Sequence, residues 1–276
     1  MQARVATFRR RREATPDPTT IEAQVHRYGP HRDQFGELTL PRERDDPRLP
    51  VAVLIHGGFW RARYRLGLQA QLVADLAGRG WAVWNLEYRR LGWRSRGGWP
   101  ATFEDVAAGI DLLGALEAPL DLARVVAVGH SAGGQLTLWA ASRHGQPAGA
   151  PGAEPKIGLA AAVAQAGVVD LREAAKLGLS RGAPQRLLGG GPERLPARYD
   201  LASPSERLPL GLPQLLVHGD ADDIVPIELA RRYARRAADA GDDCELLELP
   251  GVGHFEHLDP SSEAWRAVAA WLDRRG

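Results

Sequence analysis

Stretches of continuous apolar residues alternate with stretches of helical spacing along most of this chain. Residues 51–55 (Val-Ala-Val-Leu-Ile) form an unbroken apolar run, as expected for a strand covered on both faces of a sheet. Similar runs at 81–86, 125–128, 159–169, 214–217 and 245–249 predict five further strands. Between them, 68–76, 103–116 (with Thr102 as the expected cap), 133–142, 227–240 and 263–272 have apolar positions at helical spacing. Two leading segments, 22–28 and 36–40, read differently. The second alternates polar and apolar residues, so the pair is expected to form an antiparallel edge. Strands that alternate with helices imply a mostly parallel, twisted sheet with helices on both faces. The alternation weakens between Gly145 and Pro213, where Gly189-Gly190-Gly191 and several prolines interrupt it. Residues 171–212 are therefore expected to form a short cap-like excursion, and 21–276 a single domain preceded by a basic tail over 1–20.

Composition narrows the functional classes. The 276 residues carry 35 Lys and Arg against 34 Asp and Glu, a net charge of +1, so no global field recruits nucleic acid or an anionic membrane. Cys244 is the single cysteine, which excludes an internal disulfide framework and a multi-cysteine metal site. No segment reaches the roughly 18 apolar residues of a membrane span. Arg9 to Arg12 are not followed by the apolar run of an export signal, so the expected location is the cytoplasm. No cofactor or metal is expected.

The chemistry concentrates where predicted strands end. Gly129-His130-Ser131-Ala132-Gly133 follows the run 125–128 and opens a helix. Glycines on both sides permit a sharp strand-to-helix turn that presents the Ser131 hydroxyl at the sheet edge. A hydroxyl nucleophile needs a base. His254, in the glycine-rich segment Gly251-Val252-Gly253-His254 after the strand 245–249, is the first choice, with His257 as the alternative. His130 is expected to be structural, and His56 and His218 to bond the loops they begin. A carboxylate must hold the base in one tautomer. Asp222, after the strand 214–217, is preferred over Asp223, and Asp220 is assigned to the turn. For the oxyanion, the N–H of Ala132 and those of Gly58 or Phe59, in His56-Gly57-Gly58-Phe59-Trp60, are the expected donors. Glu87 is expected to brace that loop. Trp60, Trp93 and Trp99 are expected to border the substrate.

The order Ser131, Asp222, His254 is that of α/β-hydrolases. With Glu87-Tyr88-Arg89, Val225-Pro226 and Gly253-His254-Phe255, these motifs span about residues 50 to 260. The chain resembles the esterase branch of the α/β-hydrolase superfamily that has a His-Gly-Gly oxyanion loop. The His-Gly-Gly-aromatic-Trp form is similar to kynurenine formamidase-like and bacterial feruloyl-esterase-like enzymes. The resemblance implies a serine esterase that cleaves small- to medium-chain carboxylic esters through an acyl-enzyme. Its alternatives are an arylformamidase and a prolyl-oligopeptidase-like peptidase, the latter disfavoured because no propeller-like segment precedes the domain. A small-molecule ester or amide is the expected partner, with a homodimer as the assembly allowed for.

Overall fold

The computed structural model describes residues 23–42 and 47–275. The expected basic tail, 1–20, lies outside the described residues. Eight strands form one sheet in the order β1-β2-β4-β3-β5-β6-β7-β8. They are β1 (Ala23–Arg27), β2 (Phe35–Thr39), β3 (Leu49–Ile55), β4 (Ala82–Leu86), β5 (Leu120–His130), β6 (Ala161–Gln165), β7 (Gln214–Gly219) and β8 (Cys244–Leu249). β1 pairs antiparallel with β2, and β2 antiparallel with β4. All pairings from β4 to β8 are parallel.

Because successive side chains of a strand point to opposite faces, the apolar run in β3 feeds two cores. Val51, Val53 and Ile55 pack into one with Val106, Leu136 and Tyr233. Ala52 and Leu54 pack into the other with Leu72, Leu76, Trp265 and Val268. Hence α2 (Ala101–Asp111), α3 (Ala132–Ala141) and α7 (Glu228–Asp239) cover one face. α1 (Ala70–Gly78) and α8 (Glu263–Asp273) cover the other. Ser262 caps α8 by accepting the Trp265 N–H at 3.0 Å, a contact that stabilises a helix start by about 1 kcal/mol. The mostly parallel sheet with helices on both faces is the α/β-hydrolase architecture.

Two details depart from the sequence expectations, and the excursion follows them. α2 starts at Ala101, and Thr102 does not cap it. The Thr102 hydroxyl accepts the Gly98 N–H and donates to the Arg89 carbonyl, so it ties down the loop before the helix. The strand expected over 159–169 stops at Gln165, because Ala166 takes a positive φ of 46° and turns the chain away. The excursion holds three short helices, α4 (Leu171–Lys176), α5 (Leu179–Leu188) and α6 (Pro196–Ala202). Inside α5, Ser180, Arg181 and Gly182 all have left-handed backbone conformations.

Candidate active site

Ser131 follows β5 directly and precedes α3, with φ 58° and ψ −118°. A non-glycine residue in such a conformation costs on the order of 1–3 kcal/mol and persists only where its surroundings fix it. Here the Ser131 N–H donates to the Gln165 carbonyl at 2.8 Å, and its own carbonyl accepts the Gln135 N–H. Close packing holds the turn as well: a Cβ on Gly133 would come within 1.9 Å of the Ile55 carbonyl oxygen. The Ser131 Oγ is buried and makes no hydrogen bond.

His254 Nδ1 lies 2.7 Å from Asp222 Oδ2. A carboxylate only accepts, so Nδ1 carries the proton and the lone pair sits on Nε2. Asp222 is held on all sides. Its Oδ1 accepts the N–H groups of Ile224 and Val225, each at 2.9 Å. His218 Nε2 adds a third contact at 3.2 Å to Oδ2, while lying 2.8 Å from the Val225 carbonyl. Burial alone would raise the Asp222 pKa. The hydrogen bonds from His218, His254 and Val225 outweigh it and hold the carboxyl below its ordinary value. His130 Nε2 lies 2.8 Å from the His254 carbonyl oxygen and ties the base's loop to the residue beside Ser131. The His130 and His254 rings are 4.6 Å apart between centroids. His257, the alternative base, is fully buried with neither ring nitrogen partnered. Burial, then the neighbouring His218 and His254, lower its pKa to about 3. Asp223, the alternative acid, is exposed.

On the other side of Ser131 lies the loop after β3. Gly58, Phe59 and Trp60 have φ values of 107°, 48° and 55°. A Cβ on Gly57 would meet the His130 carbonyl oxygen at 2.7 Å and Ser131 Cβ at 3.1 Å, so the loop lies directly against the serine turn. Ala132 opens α3 and so has no carbonyl one turn back for its N–H. A buried ionic network supports this loop. His56 Nε2 is 3.0 Å from Glu87 Oε1, and His56 Nδ1 is 2.8 Å from the Gly57 carbonyl. Arg90, also buried, bridges Glu87 at 2.7 Å and Asp33 at 3.0 Å. The Tyr88 hydroxyl donates to the His56 carbonyl at 2.6 Å. Burial pushes the Glu87 pKa up, but the contacts with His56 and Arg90 prevail and keep it lowered.

Ser131, His130 and His254 line a cavity of ≈ 430 Å³ together with Gly58, Phe59 and Phe255. The three tryptophans expected there do not line it. Trp60 is wholly buried, with its indole N–H bonded to Gln135 Oε1 at 3.1 Å, because the positive φ at Phe59 and Trp60 turns its side chain into the core. Trp93 is 88% exposed on a surface loop. Trp99 packs edge-on against Phe103, 5.2 Å between ring centroids. Instead Arg61, Tyr64, Leu68, Ser180, Ile224 and Leu258 form the rest of the walls, together with Asp223, the alternative acid. Apart from Asp223, none carries a sequence signal for this position, although Arg61 and Tyr64 directly follow the His-Gly-Gly motif. Among the described residues, no group of three or more His, Cys, Asp or Glu side chains could hold a metal ion, and no helix is long and apolar enough to cross a membrane.

A buried serine on a strained strand-to-helix turn, beside an Asp-bound imidazole at the same sheet edge, places the molecule among the serine hydrolases of the α/β-hydrolase fold. Residues 37–236 match the BD-FAE family, and the chain belongs to it. It is 30% identical, over 294 aligned positions, to esterase LipC of Mycobacterium tuberculosis, covering 93% of this chain and 68% of LipC. The butyrate-bound structure of the thermophilic esterase Est2 from Thermogutta terrifontis superposes with a TM-score of 0.70 at 25% identity, covering 91% of each chain. A carbohydrate esterase from gut microbiota has the same fold, with a TM-score of 0.77 at 22% identity over 94% of this chain and 98% of its own. The chain is a carboxylic ester hydrolase.

Proposed function

We propose that Ser131, His254 and Asp222 hydrolyse small- to medium-chain carboxylic esters through an acyl-enzyme. Ser131 Oγ attacks the ester carbonyl carbon as its proton passes to His254 Nε2. The carbonyl oxygen, now an oxyanion, accepts hydrogen bonds from the N–H of Ala132 and those of Gly58 or Phe59. Collapse breaks the bond to the alcohol, which leaves with the proton from His254. Water then attacks the acyl-enzyme with His254 as base, and the acid departs. Asp222, kept ionised, stabilises the imidazolium formed in each half-reaction. One observation carries the reading. The Nδ1 of His254 is committed to Asp222 at 2.7 Å, while its ring lines the same cavity as the buried, unpartnered Ser131 Oγ.

The cavity supports the chain-length reading. Its volume of ≈ 430 Å³ and its Phe59, Leu68, Ile224, Phe255 and Leu258 walls suit a short acyl group next to an apolar leaving group. The relative Est2 binds butyrate and propionate. Turnover of p-nitrophenyl acetate, butyrate and dodecanoate, N-formylkynurenine and an aminoacyl-arylamide tests the reading. The expected result is highest kcat/KM for acetate or butyrate, abolished in Ser131→Ala. Preference for the formamide or the arylamide would replace the ester reading, and unchanged turnover in Ser131→Ala would remove the nucleophile.

A further inference from the structure

The cavity wall carries positive charge that no carboxylate among the described residues pairs with. Arg61 is half-buried and lines the cavity. Its hydrogen bonds run from one nitrogen, Nη2, to the Ser180 carbonyl at 2.7 Å and the Ser180 hydroxyl at 2.8 Å. Neither acceptor is charged, and among the described residues no carboxylate lies within ion-pairing distance of this guanidinium. Its Nε and Nη1 donors are left over. Arg63 is exposed and outside the cavity, donating to the Tyr64 hydroxyl with its guanidinium 4.5 Å from the ring centroid, so solvent and salt screen its charge. Tyr64 itself lines the cavity.

The anchor is strained. Ser180 and Arg181 sit at φ 47° and 57°, left-handed conformations that cost on the order of 1–3 kcal/mol each outside glycine. Arg61 is held at the cavity by the Ser180 hydroxyl and by the Ser180 carbonyl, which also accepts from Arg186 Nη2 at 2.9 Å. Three nearby cations are consumed by carboxylates, Arg65 by Asp33 and Glu87, Arg89 by Asp105, and Arg90 by Asp33 and Glu87, whereas Arg186 is exposed and donates to the Ser180 and Arg181 carbonyls. The one carboxylate lining the cavity, Asp223, is exposed, so solvent and salt screen its opposing field.

We propose that the cavity selects esters carrying a second, anionic group, a carboxylate, for which the Arg61 guanidinium is the counter-ion. The proposal rests on the esterase reading of Ser131 and adds the substrate class. A carboxylate accepts two parallel N–H bonds from an arginine fork, and a neutral isostere offers no such pairing. The anion can sit on the acyl or on the alcohol portion of the ester, and two matched substrate pairs separate these. Ethyl hydrogen glutarate against ethyl pentanoate tests the acyl side. 4-Acetoxybenzoate against 4-acetoxybenzamide tests the alcohol side.

The wild-type enzyme is expected to favour the charged member of one pair by about 10-fold in kcat/KM, the worth of a hydrogen bond to a charged group. Arg61→Gln removes the preference and Arg61→Lys restores part of it, whereas Asp223→Asn increases it. A purely structural role for Arg61 would lower charged and neutral members equally and leave their ratio intact. Ser180→Ala, which deletes only the hydroxyl anchor, should leave most of the ratio in place. Calorimetry with Ser131→Ala measures binding of the same esters without turnover. There the charged member should bind about 10-fold more tightly, and the additional Arg61→Gln change should erase the difference. No preference in either pair, or a preference that survives Arg61→Gln, overturns the proposal. Failure of the esterase reading shows separately, as ester turnover that is absent in wild type or persists in Ser131→Ala.

Discussion

Two buried carboxylate–imidazole pairs flank Ser131, Asp222 with His254 and Glu87 with His56, and they are built to opposite ends. His56 has both ring nitrogens engaged, one by Glu87 and the other by the Gly57 carbonyl. Its carboxylate is further loaded by Arg90 and by the Leu66 and Tyr88 N–H groups. His254 is bound through Nδ1 alone. The same two chemical groups thus make a strut on one side and, under the proposed mechanism, a proton carrier on the other. What decides is whether the second nitrogen is spent on the protein or left facing the cavity.

The comparison is broken most severely at Asp222. Asp222→Asn keeps the shape but presents an amide to His254 Nδ1, which favours the wrong tautomer. It should lower kcat about 10⁴-fold, read by steady-state kinetics on p-nitrophenyl butyrate. In the intact enzyme Asp222 stays ionised because its pKa is held down, so no acid limb of the rate should come from this carboxylate. An acid limb that disappears in Asp222→Asn would contradict the geometry.

Glu87→Gln acts on the strut. It leaves Arg90 buried with Asp33 as its remaining carboxylate, and breaking a buried pair in this way costs about 3–5 kcal/mol of stability. Because the loop proposed to hold the oxyanion loses its brace, kcat should also fall, by about 100-fold or less, with KM changing little. Urea unfolding and kinetics on the same preparation check both. A stable variant with normal kcat would show that the network holds no catalytic geometry.

His257 gives a smaller effect, with a defined sign. Its folded pKa of about 3 lies below the roughly 6.5 of an unfolded histidine. Between those values the unfolded chain binds the extra proton, so stability is full above pH ~6.5 and declines as the pH falls. From pH 6.5 to 5 this amounts to about 2 kcal/mol, and His257→Gln should remove that part of the decline in thermal melts. An unchanged slope would mean that His257 is protonated in the fold. Asp223→Asn should have the smallest effect. On a neutral ester its kcat should stay within about twofold of wild type, the range of an exposed substitution; a loss comparable to Asp222→Asn would exchange their roles.

Much of this layout was legible because β3, β5 and β7 are apolar runs that end in glycine-bearing motifs, and parallel strands deliver their C-terminal ends to one edge. That logic put Ser131, Asp222, His254 and Gly58 in one neighbourhood before any coordinates. It failed for Trp60, Trp93 and Trp99, whose side-chain directions depend on loop dihedrals and on the partners Gln135 and Phe103, neither of them readable from local pattern. It has His218 bonding the loop it begins, which the Val225 carbonyl bears out, but not the contact with Asp222, since an i, i+4 contact across a turn leaves no periodic trace. Ser180 was illegible for a different reason: three consecutive left-handed residues, two of them not glycine, contradict local preference and are held by tertiary contacts such as Arg61.

The sheet ladder also sets what can be changed. Ile55 and Gly129 are paired neighbours on adjacent parallel strands, so the two backbone segments that would cradle the oxyanion stand one interstrand step apart, about 4.8 Å. Hydrogen bonding deep in the scaffold dictates that separation. Directed evolution of this enzyme can therefore randomise positions 61, 224 and 255 with Gly57 and Gly133 left untouched, whereas the excursion has to keep Leu171, Leu187 and Tyr199, which are buried in the same core as Leu136.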